Sequence, residues 1–327
     1  MSGPFVELHC HSNFSFLDGA SPVEDLVERA LAVGLTSLAV TDHQGLYGAV
    51  RFATAAQQAG LRPIVGIEIE LTDAAVADPA GIVVPPPRRR RRASGRAAAA
   101  DGPGLSAVPP ADGRALRPPT ERLRPPGHRP ARREDLRGVR SRELGPHIVL
   151  LARDMTGYRS LCRLTSAAHL AGTKGVPRFS HALLAQHTDG LAALSGCRQG
   201  EIGRRLLAGD REGATAAAER LAALFGTDFH VELQHHLLPD DDWLVSQSVG
   251  LARALSLPMV VTNDAHYATP DGRELQDVLV CIRHGATLET SGHLRRPNGE
   301  YYLKGAAELA ALPPARGDLG AGIAAAW

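Results

Sequence analysis

Seven times along this chain an apolar run rich in β-branched residues gives way to a stretch with helical spacing, and this alternation restricts the fold more than any other feature. The runs are FVELHCH (5–11), SLAVTDH (37–43), PIVGIEIEL (63–71), HIVLLAR (147–153), LAALSGC (191–197), FHVELQHH (229–236) and PMVVTNDAH (258–266). Among the helical stretches, SPVEDLVERALAVG carries the fullest set of signals. Ser21 is placed to cap, Pro22 suits the first turn, Glu24 completes a capping box and Gly34 ends the helix. GAVRFATAAQQAG, TGYRSLCRLTSAAHLAG, EIGRRLLAGDREGATAAAERLAALFG, DDWLVSQSVGLARALSL and DGRELQDVLVCIRHG follow the same helical pattern. Strands alternating with helices imply a parallel sheet covered on both faces, either doubly wound or closed into a barrel. Seven β/α units predict the α/β barrel.

The alternation is interrupted between the third and fourth runs. Residues 85–145 hold 11 of the chain's 23 prolines, and 16 Arg against 6 acidic residues, which leaves 20 basic against 29 acidic elsewhere. Such a segment buries too little apolar surface to offset its ordering entropy, so residues 74–145 are expected to be a disordered Arg/Pro-rich insertion in a domain spanning 1–310. The run Arg88–Arg92 lacks interleaved aromatics and is read as solvated low-complexity chain, not a nucleic-acid groove. Residues 311–327 are expected to be a linker or truncated end. With 44% hydrophobic residues in 327, the remainder can bury a core. No run is long enough to cross a bilayer, and the start MSGPFVELHC lacks a secretion signal, so no membrane partner and a cytoplasmic location are expected. The four cysteines are scattered without a CxxC pair, which argues against a disulfide framework or a zinc finger.

Chemistry is concentrated at the strand ends. In a strand, alternate side chains share a face, so His9 and His11 project together while Cys10 turns away, and Asp18 follows just beyond. His43 closes the second run, Glu68 lies in the third, Cys197 closes the fifth, and Asp264 and His266 close the seventh. Barrels gather functional residues at the C-terminal ends of their strands. Imidazole, carboxylate and thiolate together suit zinc, and the carboxylate share also admits manganese or iron. A set this large implies more than one ion, the usual equipment for hydrolysing phosphate esters.

The segments HCHSNFSFLDGA, LAVTDHQGLYGAVRF, PIVGIEIEL, HIVLLARDMTGYRSLCRLTSAAHL, GLAALSGCRQGEI and VVTNDAHYATPDGRELQDVLVCIRHG resemble, in order, the polymerase and histidinol phosphatase (PHP) domain. That domain begins the bacterial DNA polymerase III alpha subunit, and the likeness is greatest to the error-prone type. The resemblance implies a distorted seven-stranded β/α barrel holding two or three Zn2+ or Mn2+ ions. It places His9, His11, Asp18, His43, Glu68, His147, Cys197, Asp264 and His266 at the metal positions. His147 opens its strand where the others close theirs, and enters on the resemblance alone. The activity implied is a metal-dependent phosphoesterase, a 3′→5′ exonuclease acting on a DNA 3′ end or single strand. The implied partners are the remaining polymerase domains and replication or repair factors. The alternatives are a stand-alone phosphatase of the histidinol-phosphate type and a non-catalytic module bracing the polymerase. The chain stops at Trp327 without the paired aspartates of a palm domain, so polymerisation is not expected of it; PDDDW (239–243) is read as acidic charge opening a helix.

Two further residues are candidates for substrate binding. Arg198, directly after Cys197, has the placement and chemistry of a phosphate clamp. His236, with His230 and His235 near the sixth strand's end, could contact a phosphate or donate a proton to a leaving group.

Overall fold

The computed structural model describes residues 5–72, 145–292 and 294–312. The expected insertion over 74–145, Gly145 apart, and the expected end over 311–327, from 313 onward, lie outside them. Six strands form one sheet in sequence order: β1 (Ser37–Val40), β2 (Arg62–Glu70), β3 (His147–Ala152), β4 (Leu191–Leu194), β5 (Phe229–Leu233) and β6 (Met259–Val261). The helices are α1 (Val23–Ala32), α2 (Ala49–Gln58), α3 (Met155–Ala171), α4 (His181–Ala185), α5 (Glu201–Leu207), α6 (Arg211–Phe225), α7 (Asp241–Ala254), α8 (Gly272–His284) and α9 (Ala306–Ala310). The fold is mixed α/β.

The sheet corrects the parallel expectation at one strand. β1 and β2 are parallel, as are β4, β5 and β6, but β3 runs antiparallel to both its neighbours. A parallel neighbour needs a crossover that carries the chain back to its starting end. Between β2 and β3 the chain instead re-enters at the end where β2 leaves, which pairs Glu70 with His147.

The seven-stranded barrel is not reached among the described residues. The run expected as the first strand makes only single parallel bridges, Glu7 with Leu38 and Cys10 with Ala265. Side chains divert its backbone donors: the Glu7 carboxylate accepts from His9 N (2.9 Å) and the Thr41 hydroxyl from Cys10 N (3.1 Å). The segment still lies between β1 and the residues after β6, because Ala39 N donates to Glu7 O (2.8 Å) and His11 N to Ala265 O (2.7 Å).

Strand alternation sorts the core. Ile67 and Ile69 of β2 and Ile148 and Leu150 of β3 pack beneath α3, α6 and α7. Val149, Leu151, Leu194 and Ala39 form a separate cluster on the opposite face, the face to which Glu68 belongs by its pairing with Val149. α1 and α2 pack with Phe5, Cys10, Leu38 and Leu303.

Two helix expectations are corrected. Ser21 does not cap α1; its hydroxyl accepts from Ala268 N (2.8 Å), and Glu24 binds Arg51 of α2 (2.6 Å). The stretch 201–226 breaks into α5 and α6 at Gly209, whose φ of +76° ends one helix, and Asp210, whose carboxylate caps the next at Gly213 N (2.8 Å). PDDDW does open a helix, with Asp241 and Asp242 in the first turn of α7. The four cysteines are unpaired, and no helix among the described residues is long and apolar enough to cross a membrane.

Candidate metal centre

Nine side chains expected from separate parts of the sequence join one contact network. Glu68, buried near the end of β2, is its hub: His9 Nε2 lies 2.8 Å from Oε2, while His43 Nδ1 and His147 Nδ1 lie 2.8 and 2.9 Å from Oε1. Asp264 Oδ1 stands 3.4 Å from His9 Nε2, 3.3 Å from His11 Nε2 and 3.4 Å from His266 Nδ1. Asp18 Oδ2 reaches His43 Nε2 (2.7 Å) and His266 Nε2 (3.5 Å). Cys197, half-buried after β4, lies close enough to His147 to raise its pKa.

Local structure explains these placements. The Asp42 carboxylate accepts from Ser12 N (2.8 Å), Ser12 Oγ (2.7 Å) and Ser15 Oγ (2.7 Å), which winds residues 12–18 into turns and delivers Asp18 to the cluster. A Cβ on Gly19 would lie 2.0 Å from Ser12 O, so the turn closes only with glycine there. Asp264 has φ +46°, a left-handed conformation that Asp tolerates better than most residues and that turns it into the cluster. His147 reaches the same end as its partners because β3 is reversed.

Electrostatics divide the imidazoles. His11 is lowered to about 3 by burial and by the neighbouring His43 and His266. His43 is raised to about 10, since Glu68 and Asp18 outweigh its burial. His9 and His147 are likewise raised against their burial, the first by Glu232 and Asp264, the second by Glu68 and Cys197. Asp18, Glu68 and Asp264 are all held below the usual carboxylate range despite burial: Asp18 by His266 and His43, Glu68 by His147 and His43, and Asp264 by His266 and His9.

This donor set fits divalent cations. His11, His43 and His266 offer ligand atoms within 4.8 Å of one another, as do His9, His11 and Asp264. His11 Nε2 and Asp264 Oδ1 face each other, buried, and neither has a hydrogen-bond partner among the described residues. Buried polar atoms are rarely left so, and a cation between them would satisfy both.

The two substrate candidates are otherwise engaged. Arg198 is bound by Asp240 (2.6 Å) and Asp241 (3.4 Å) at the start of α7. His236 is buried, stacked on Tyr301 at 4.0 Å with its Nε2 2.7 Å from Asn263 O, and burial first among its causes lowers it to about 3. Sequence reasoning missed Arg296. Its guanidinium lies 4.2 Å over Tyr301 and contacts both His266 and Asp264 (3.8 Å). It also missed Glu7, whose carboxylate accepts from both His9 N and Asn263 N, and Glu232 beside His9. Glu7 had a legible signal, since alternation along its run sets it on one face with His9 and His11; Glu232 lies within β5, and Arg296 had none.

The curled sheet and the segments beside it bring together five imidazoles, three carboxylates and a thiol, a donor set that could hold metal ions. The chain belongs to the PHP domain family, whose model matches residues 7–236. It is 38% identical over 324 residues to an error-prone DNA polymerase of Nocardia farcinica, covering 94% of this chain and 26% of that protein. It is 32% identical over 311 residues to the DNA polymerase III subunit alpha of Treponema pallidum, covering 95% of this chain and 22% of that one. The chain thus spans about a quarter of the length of these curated relatives. Among solved structures, a two-domain protein from Bacteroides vulgatus described as containing a predicted PHP-like metal-dependent phosphoesterase aligns with a TM-score of 0.40 at 13% identity, over 80% of this chain and 51% of that one.

Proposed function

We propose that the chain is the PHP domain of an error-prone-type DNA polymerase III alpha subunit and hydrolyses phosphodiester bonds at the 3′ end of DNA. The observation that supports this reading is the convergence of His9, His11, Asp18, His43, Glu68, His147, Cys197, Asp264 and His266, with two facing donor atoms left unpartnered. Such a set exceeds one ion's coordination shell and suits two or three. Zinc or manganese bound there would supply a nucleophile at neutral pH and offset charge on the phosphoryl group.

The chain's own residues do the rest. Glu68 and Asp264 hold the imidazoles in register at the mouth. Arg296, pinned on the Tyr301 ring, keeps a permanent positive charge beside Asp264 and His266, where an anionic phosphodiester would approach. The test incubates metal-loaded protein with end-labelled single-stranded DNA and, separately, with a generic phosphomonoester, alongside Asp264→Asn. DNA shortened from its 3′ end by the parent and not by the variant is the expected result. Monoester turnover alone would point to a stand-alone phosphatase, and inactivity on both substrates to a bracing module.

A further inference from the structure

We infer that Glu232 is a positioning residue for the candidate metal centre, holding the His9 ring so that its Nε2 faces the cation. The inference rests on the metal reading of the site and concerns a residue that contributes no ligand to it. His9 Nδ1 lies 2.8 Å from Glu232 Oε1, and both side chains are fully buried. The opposite nitrogen, Nε2, faces Glu68 Oε2 (2.8 Å) and Asp264 Oδ1 (3.4 Å). The ring therefore spans from a carboxylate outside the cluster to the carboxylates within it.

Both ring nitrogens of His9 face carboxylates at 2.8 Å, so the metal-free ring donates from both, Nδ1 to Glu232 and Nε2 to Glu68. A carboxylate only accepts, so His9 Nδ1 carries the hydrogen that bonds Glu232. Gln234 Nε2, 3.2 Å from that nitrogen, cannot also donate to it; its two hydrogens go to Glu232 Oε1 (2.9 Å) and Thr262 Oγ1 (3.0 Å). The Thr262 hydroxyl donates to the same Glu232 oxygen. Upstream, Glu232 N donates to Ser195 Oγ (2.9 Å), which anchors its backbone to the segment leading to Cys197. A cation taking the place of the Nε2 proton would find that nitrogen's lone pair on the ligand side, while Nδ1–H stays with Glu232 outside the cluster. Partners of this kind fix the tautomer and ring orientation of ligating histidines and raise their basicity, and losing one costs about 10- to 100-fold in metal affinity.

The experiment titrates the full 327-residue chain with Mn2+ and with Zn2+, as the parent and as Glu232→Gln and Glu232→Ala. In parallel, the 15N shifts of the His9 ring are recorded in the Zn2+-loaded proteins. Glutamine keeps the shape and a weaker acceptor, so a dissociation constant raised about tenfold is expected for it, and about hundredfold for alanine. The His9 Nδ1 resonance should stay that of a protonated nitrogen in the parent and move in alanine. A folded Glu232→Ala protein that binds both ions as the parent does, with an unmoved His9 resonance, overturns the inference while leaving the metal reading intact. A parent that binds neither ion overturns both.

Discussion

Glu68→Gln is the single substitution that bears most directly on how the centre is held together. The carboxylate is buried and stands within 2.9 Å of nitrogens from three histidines that approach from the segment after β1, from β3 and from the N-terminal segment. Two of those rings, His43 and His147, are held above the usual imidazole range against their burial, largely by Glu68 itself. An amide of the same shape removes the negative charge and leaves positive rings facing one another. Breaking a buried pair by removing one partner costs about 3–5 kcal/mol. For a chain of this size each kcal/mol moves Tm by about 2–4 °C, so the metal-free variant should melt about 6–20 °C lower. Metal adds a second readout. At a free ion concentration of about 100 Kd, the parent gains about 2.7 kcal/mol, whereas a variant that binds a hundredfold more weakly gains about 0.4 kcal/mol. Differential scanning calorimetry with chelator, zinc and manganese separates the two contributions. A Glu68→Gln protein that melts with the parent in chelator, and rises equally with metal, would refute the assignment of Glu68 as the hub.

Two further predictions test the frame around the centre. Glu201 is buried against His181, Arg205 and Arg220, which outweigh its burial and lower it from 4.5 to about 2. A depressed carboxylate stabilises the fold fully above its unfolded value and loses that contribution as pH falls from 4.5 toward 2; discounted for the exposed side of Arg220, it is worth about 2–3 kcal/mol. Glu201→Gln should therefore lose that amount in urea melts at pH 7, with the deficit shrinking below pH 4.5; a pH-independent deficit would contradict the pairing. In the second, a Cβ at Gly157 would fall 2.0 Å from Gly190 O, whereas one at Gly250 in α7 meets nothing nearer than 3.9 Å. Gly157→Ala should cost about 3 kcal/mol and Gly250→Ala should gain about 0.5–1 kcal/mol, both read from the urea midpoint at constant m.

What the sequence reveals here follows the range over which each signal acts. Alternation within a single run is local, and it correctly puts His9 and His11 in the cluster while Cys10 packs among α1 and α2. The acidic opening of α7 is also local and holds. Its consequence for Arg198 is not: Asp240 and Asp241 lie more than 40 residues away and meet Arg198 only in the folded chain. The first run has a strand's composition, yet Glu7 and Thr41 take the donors that a ladder would use, and no periodicity encodes a side chain competing for a backbone hydrogen. Ser21 fails as a cap for the same reason, since Ala268 reaches its hydroxyl from the far end of the chain.

Strand direction is the deepest of these non-local properties, and the candidate centre depends on it. Local pattern is the same for a parallel and an antiparallel strand, so nothing in HIVLLAR shows which way β3 runs. Had β3 been parallel to β2, its first residue would sit at the opposite end of the sheet. Over the six residues of β3, at about 3.3 Å per residue, that is roughly 17 Å from the mouth where Glu68 stands. No side chain spans that gap. His147 contacts Glu68 at 2.9 Å only because the strand is reversed, whereas Cys197, just past β4, lies at that mouth in either case, since β4 runs in the same direction as β2. The break in the β/α alternation and the recruitment of His147 are therefore one structural event. A sheet that kept strict alternation would retain Glu68 and the cluster around His9, His11, Asp18, His43, Asp264 and His266 but lose the contact His147 makes with Glu68.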